Sequence, residues 1–481
     1  MHIPSLKKNI ALNLFKTLLS LLFPLITFPY ASRILLPEGI GKVNFADAII
    51  GYFGLLATLG IHHYSIREAA KVRDDRYLLS KFSKEVLYIN FGSALIAYTL
   101  FFISLFVVPK FAEYRILLCI ISSNILFTII GMDWLYSAVE DYKYMTVRYI
   151  IFHVISLILL FLFVHEQKDY LVYAGIAVLS HAGANVLNFV HSRKYIDFSI
   201  VHKLEFERHL KPICILFAMA AAIEVYNALD KTMLGFICND WEVGIYSAAV
   251  KVNKIVLSLV VAACAVLLPR LSYYSEKNEV EKFNSLTYKG LNILLLVSIP
   301  SCIGLCLVSY HIIMLLSGEH YIAAVPVMRV MNPIILVIGM SNFIGMQLFM
   351  PLRKEKYTLY SVLCGAVVNF SLNLILIPRF QAFGAAVSTL CAETIVTIVQ
   401  LFLARDIVDL RKMFRLFVIY LVNATVMGMI VFFVVRNINT VFYGFLFGVL
   451  TGIVIYTTLL VLEKNEIAFA FIKYCRNKIK C

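Results

Sequence analysis

The segment PEGIGKVNFADAI (residues 37–49) and the segment DWEVGIYSAAVKV (residues 240–252) read as one motif written twice. Each is an acidic, Gly-ended turn that leads into a helix start rich in small residues, and Gly41 and Gly244 align the two copies. Reading outward from both, the chain is a succession of about fourteen hydrophobic stretches of ~20 residues separated by short charged loops, the length a helix needs to cross a hydrocarbon core about 30 Å thick. The first six cover 10–34, 43–62, 84–108, 115–138, 147–164 and 170–191, and the next six 211–237, 243–269, 288–316, 322–350, 358–378 and 383–403. Two more, 414–435 and 441–463, complete the set. With 61% hydrophobic and only 15% charged residues among 481, the chain is far more apolar than a soluble globular protein. The fold class is an all-α polytopic membrane protein.

The repeat organises these helices. It gives a six-helix lobe over 1–200, a second over 201–405, and helices 13 and 14 with a C-terminal tail over 406–481. Because six is even, both lobes enter the membrane from the same side. The repeats are therefore parallel, related by a pseudo-twofold axis along the membrane normal, and a pair of bundles of this kind is expected to enclose a central cavity.

Charge sets the orientation. Assigning loops alternately to the two sides puts about 31 Lys and Arg on the side holding both termini and about 7 on the other, the asymmetry of the positive-inside rule. Both termini are expected in the cytoplasm of a bacterium, with the chain in its inner membrane. The heaviest basic loops are Arg67–Lys84, Arg193–Lys211 and Arg405–Arg415. The net charge of +14 belongs to these loops, where it meets anionic lipid headgroups, and implies no nucleic-acid partner. Lys7 and Lys8 precede an apolar run too long for a removable signal peptide.

Most of the ten cysteines fall inside helices without C-x-x-C spacing, so they read as apolar thiols. Cys302 and Cys306 share a helix face, but two thiols without further ligands do not make a metal site. No G-x-x-x-x-G-K-[ST] run occurs, and no loop is long enough to carry a catalytic domain, so neither a nucleotide-driven pump nor an enzyme is expected. Pro24 and Pro29 in the first helix, Pro300 in the ninth and Pro326 and Pro333 in the tenth are expected to kink their helices.

Several segments in order resemble the bacterial oligosaccharide flippases of the multidrug/oligosaccharidyl-lipid/polysaccharide exporter superfamily. They are FPLITFPYASRIL (23–35), PEGIGKVNFADAI (37–49), GIHHYSIREAAKVRDD (60–75), MDWLYSAVEDYKYMTVRYI (132–150), EVGIYSAAVK (242–251) and NLILIPRFQAFGAAVSTLCAE (373–393). His62-His63 departs from the small or polar pair usual in relatives. The resemblance implies a non-enzymatic transporter with a cationic cavity, working by alternating access on an undecaprenyl-diphosphate-linked oligosaccharide, a repeat unit of O-antigen, capsule or exopolysaccharide. A drug/cation antiporter of the same superfamily is the alternative within the fold. A membrane polysaccharide polymerase is the alternative from another class. Membrane lipids are partners by necessity, and a polymerase or glycosyltransferases docking on the basic loops are left open.

Charges at membrane depth nominate the site, since each costs at least ~2.5–3.5 kcal/mol unless it faces a cavity or a partner. A diphosphate leaving water needs compensating cations. Arg33, Lys251, Lys254 and Arg329 are the candidates to hold it, with Lys231 either joining them or pairing with Asp230 or Glu224. Asn369 and Asn373 (i, i+4), Thr389 and Asp230 supply oxygens suited to a coupling Na⁺, or Asp230 a site for H⁺. Interhelical hydrogen bonding is the competing reading of those amides and hydroxyls. Glu224 and Glu393 are further candidates in ion or proton coupling, Glu393 as a proton carrier or the partner of a buried cation. No catalytic residue, resident metal or organic cofactor is expected.

Overall fold

The computed structural model describes residues 6–199, 203–463 and 465, and among these it is helical with no strand. His63's side chain, the side chains of Lys7 and Lys8, and the C-terminal tail from residue 466 lie outside the described residues. The chain divides into two compact units, Met1–Gly244 and Ile245–Cys481.

The first unit opens with α1, Leu6–Thr58. A straight helix of that length would run about 80 Å, more than twice the hydrocarbon core. It is instead two arms joined at Leu36, whose φ of 58° and ψ of 175° lie outside helical space. Pro37 explains the place, since a proline disfavours helical geometry in the residue before it. Next come α2, Ile61–Val72, α3, Arg76–Val107, α4, Phe111–Gly131, α5, Asp133–Ala138, and α6, Tyr142–Phe163. The first arm of α1 runs parallel to α6: Phe23 meets His153 at 4.6 Å and Tyr30 donates to the Val164 carbonyl at 2.9 Å. The second arm runs parallel to α4, with Phe45 on Tyr114 at 5.2 Å and Gly54 beside Ile125. Since α4 and α6 are joined by a short link and run oppositely, the arms of α1 form a hairpin. A π turn separates α7, Tyr170–Val178, from α8, Ala184–Ser192, and α9, Glu207–Ile237, packs along the second arm of α1.

The motif glycines explain themselves here. A Cβ on Gly41 would collide with the Asp240 carbonyl, and one on Gly244 with the Pro37 carbonyl, so the two copies of the turn touch backbone to backbone.

The boundary falls within α10, Asp240–Ala265. The second unit continues through α11, Leu268–Glu276, α12, Val280–Leu316, α13, Ala324–Met331, and α14, Ile334–Asn342, which runs on as a π-helical turn over Phe343–Phe349. Then follow α15, Glu355–Leu403, α16, Leu410–Arg436, and α17, Val441–Leu462. Helix α15 is a second hairpin: Gln381 has φ 52° and ψ −131°, and a Cβ on Gly384 would strike the Leu376 carbonyl, eight residues back. Helices α16 and α17 pair and lie on α12, where Tyr420 bonds Asn292 and Tyr456 donates to the Leu296 carbonyl at 3.1 Å.

Counting each arm of α1 and α15, every one of the fourteen sequence stretches coincides with helix. Three stretches are more broken than the hydropathy suggests. The fourth ends at Gly131, because Met132 is left-handed (φ 42°) and Asn188 caps the Gly131 carbonyl at 2.9 Å. The sixth carries the π turn over Leu179–Gly183, and the tenth breaks at Pro333. Pro300, by contrast, sits within the unbroken α12. The outward faces are apolar, with Phe106 79%, Val367 67% and Ile116 66% exposed, the inverse of a water-soluble surface.

Candidate functional site: charged and polar groups at membrane depth

At one end of the first unit, that of the basic loops, charge is met by charge. Glu85 of α3 is fully buried, and it accepts from Arg208 at 2.5 Å, from the Glu205 backbone N–H at 2.8 Å and lies 2.8 Å from Nε2 of His209. Nδ1 of His209 lies 2.6 Å from the hydroxyl of Tyr64. With the Nε2 proton directed at Glu85, Nδ1 is left to accept from Tyr64, and Arg208 Nε stands 3.2 Å from the same Nε2. Close by in sequence, Asp133 accepts from Arg148 at 2.9 Å and from Asn188 at 2.7 Å, while Asp141 caps α6 and accepts from Tyr195 at 2.6 Å. The segments 60–75 and 132–150 therefore carry architecture: they tie α2, α3, α5, α6 and α9 together at the basic end.

The sequence-nominated cations behave differently. In the first unit Arg33 is exposed on the first arm of α1, three residues before the reversal. Lys231 of α9 is half-buried and donates to Asn44 Oδ1 at 3.0 Å. Asp230 beside it is 6% exposed, and Glu224, two turns earlier, reaches over Gly51. Thr232 and Tyr52 share a hydrogen bond of 3.0 Å. The face of α9 toward the second arm of α1 is thus polar along three turns.

In the second unit Lys254 and Arg329 are exposed and Lys251 is half-buried. The break at Pro333 leaves the Arg329 carbonyl without the helical N–H that a proline lacks, and α12 supplies a thiol there: Cys306 donates to the Arg329 carbonyl at 3.6 Å, while Cys302 donates at 3.2 Å to the Asn332 carbonyl, which also takes the Ile335 amide. The Asn332 side chain, its amide oriented to suit its neighbours, donates to Asn253 Oδ1 at 2.8 Å. Lys254 follows Asn253 in α10, and Arg329 sits one turn before Asn332. The two cysteines that sequence reasoning left as inert thiols thus close a helix break. Their spacing of four was the signal.

The α15 hairpin gathers the polar groups nominated for a coupling ion. Asn373 donates to Asn369 Oδ1 at 3.1 Å, and both are buried. With Gly365 facing Val396 and Leu376 facing Gly384, Asn369 stands level with Thr389 on the return arm. Thr389 lies 3.3 Å from the Tyr246 hydroxyl, and Glu393, one turn on, is 8% exposed. Asp230, nominated with them, belongs to the first unit. Sequence reasoning missed a neighbouring group on the same hairpin, where Gln400 donates to Ser361 at 3.0 Å and Thr358 Oγ1 is buried beside the π-helical turn.

Comparison with known proteins follows from this arrangement. Residues 6–275 match the polysaccharide biosynthesis protein family. The chain belongs to that family. A protein assigned as an O-antigen transporter in Escherichia coli (strain K12) is 25% identical over 389 residues, spanning 80% of this chain and 93% of its own. Among solved structures, the lipid II flippase MurJ in an inward closed conformation superposes with a TM-score of 0.76 at 18% identity, over 95% of this chain and 100% of that one. An inward-facing multidrug resistance MATE family transporter of the MOP superfamily gives 0.64 at 12% identity, over 82% and 94%. The solved structures establish the fold. Family membership together with the O-antigen transporter relative makes this polysaccharide biosynthesis protein a multi-pass membrane transporter rather than an enzyme.

Proposed function

We propose that the protein flips undecaprenyl-diphosphate-linked oligosaccharide repeat units from the cytoplasmic to the outer leaflet of the bacterial inner membrane by alternating access. Both termini are cytoplasmic in this reading, following the basic loops. The observation that carries it is the exposure of Lys254 and Arg329 inside the apolar helices of the second unit. A cation facing lipid there is costly, so these side chains serve an anion that enters the protein, and a diphosphate supplies it. Lys251 extends this set within the second unit, and Arg33 and Lys231 are the corresponding candidates of the first unit. The O-antigen assignment of the Escherichia coli relative supports the oligosaccharide, and the several deep cations speak against the cationic cargo of a drug antiporter. Coupling to Na⁺ or H⁺ is assigned in the second unit to Asn369, Asn373 and Thr389, with Glu393 carrying protons if H⁺ is the ion, and Asp230 and Glu224 are the separate candidates of the first unit.

The test is mass spectrometry of polyprenyl-linked sugars from a deletion strain, with side-specific labelling of the leaflets. Complete repeat units trapped on the cytoplasmic face are the expected result. Single units that reach the outer face unpolymerised would instead assign a polymerase, and an unchanged lipid-sugar pool would move the protein to the drug/cation antiporters.

A further inference from the structure

At the end of the first unit opposite the basic loops lies a cavity of about 130 Å³, room for roughly four water-sized groups at ~30 Å³ each. Its polar lining is Lys42, Glu113, Tyr114, Arg115 and Tyr170. Tyr114 is committed, since its hydroxyl donates to Asp240 at 2.5 Å. The two cations are not committed to carboxylates: among the described residues neither Lys42 nor Arg115 forms an ion pair, and each lies over an aromatic face. Lys42 is 5.1 Å from the Tyr170 ring centre and Arg115 5.7 Å from that of Phe106. Glu113 also lines the cavity, and Asp240, the partner of Tyr114, interacts electrostatically with Lys42, so two cations stand against two carboxylates in and beside the cavity.

Depth and surroundings narrow the ligand. Lys42 follows the Leu36 reversal, Glu113 and Arg115 sit in the first turns of α4, and Tyr170 opens α7, so every lining element is the end of a span and the cavity lies at headgroup level. Interfacial Tyr, Lys and Arg suit that level. Beside it Phe106, Val107 and Ile116 are 79%, 70% and 66% exposed, an apolar strip continuing toward the membrane middle. We propose that this cavity is a binding site for a membrane phospholipid, its phosphodiester held by Lys42 and Arg115 and its acyl chains laid along Phe106, Val107 and Ile116. With Glu113 and Asp240 offsetting part of the charge of Lys42 and Arg115, the site suits the single charge of a phosphodiester better than a more highly charged anion. A phosphomonoester or free phosphate, nearer two negative charges at pH 7, is matched less well, as is the diphosphate of a transported lipid. The proposal stands independently of what the protein transports.

The experiment is native mass spectrometry of the full chain in detergent, titrated with dioctanoyl phosphatidylglycerol, with dioctanoylglycerol, which lacks the phosphate, and with inorganic phosphate. One phosphatidylglycerol per chain is expected, weakened about tenfold by Arg115→Gln and further by adding Lys42→Gln, the loss typical of charge-assisted hydrogen bonds. Lys42→Arg in place of Lys42→Gln restores binding, which separates a lost contact from a misfolded variant. Equal retention of phosphatidylglycerol by wild type and the double variant would overturn the site. Equal retention of dioctanoylglycerol would overturn the role of the phosphate, and displacement by inorganic phosphate would overturn the lipid as its source.

Discussion

Glu85 is fully buried and touches Arg208, His209 and the Glu205 amide, whereas Lys254 and Arg329 stand exposed on helices whose other outward side chains are apolar. Both groups of charges lie in or beside helices that cross the membrane, yet they answer different demands. The first cluster is complete: each charge finds its opposite or a polar hydrogen within the protein, and the result is a fixed joint among α2, α3 and α9. The exposed cations are the charges that, under the proposed function, meet an anion from outside. A buried, fully partnered charge is therefore read as structure, and an exposed charge at membrane depth as function.

The largest expected effect breaks the joint. Glu85→Ala removes the one carboxylate that Arg208 and His209 share: Arg208, 48% exposed, can turn to Glu205 and water, but the His209 ring N–H and the Glu205 amide lose their acceptor, at about 1–3 kcal/mol for each buried donor left unsatisfied. The expected outcome is a protein that accumulates poorly and whose thermal unfolding in detergent starts many degrees lower. Unfolding at the wild-type temperature would show that the joint does not hold the unit together. Asp133→Ala acts in the same direction through Arg148, which is only 7% exposed.

The exposed cations sharpen the comparison from the other side. Lys254→Ala and Arg329→Ala are each expected to slow flipping about tenfold or more, the effect of losing one charge-assisted contact. Stability should move by no more than ~0.5 kcal/mol, as for other exposed positions. Unfolding curves and the amount of repeat unit reaching the outer leaflet are measured on the same variants. Normal transport with normal protein level in Arg33, Lys251, Lys254 and Arg329 replaced together would remove the diphosphate assignment.

A smaller effect concerns the α15 hairpin. Asn369→Ala and Thr389→Val delete oxygens from a buried polar row whose other members remain. If the row holds the coupling ion, transport by these variants loses its dependence on the sodium or proton gradient severalfold while the folded protein persists. Unaltered gradient dependence with lowered stability would assign the row to hairpin packing.

Much of this was legible in the sequence, for definite reasons. Hydrophobic length fixes a transmembrane helix because the bilayer sets one distance, so all fourteen stretches found helices. The paired glycines were visible because backbone contact at Gly41 and Gly244 tolerates no side chain. The breaks at Met132 and Pro333 and the π turns were not, since hydropathy averages over them and the groups that stabilise them come from distant helices, as Asn188 does for Gly131. The Glu85 cluster was hidden for the same reason, its partners lying 120 or more residues away. Asn369, Asn373 and Thr389 were found because spacing along one helix and a turn of known place put them together. The relation of Cys302 and Cys306 to Asn332 required the helix break, which the sequence announced only as one more proline.

The finest test lies at the edge of the buried joint. Tyr64 reaches His209 through a single hydrogen bond, and burial pushes its hydroxyl pKa up, with the Glu68 carboxylate adding to the rise, so it remains a neutral donor throughout the physiological range. Tyr64→Phe keeps the ring, with its tilted contact to Phe82 and its edge-on contact to His209, and deletes only the donor. The expected loss is about 1 kcal/mol, the net worth of one such bond, far below that of Glu85→Ala. A double-mutant cycle with His209→Ala isolates the term: if the two losses add without interaction, the Tyr64 to His209 bond contributes nothing and the joint reduces to Glu85 with Arg208. An interaction close to the whole Tyr64→Phe loss extends the joint from α3 and α9 into α2, and makes that helix a fixed strut rather than a loose connector at the basic end.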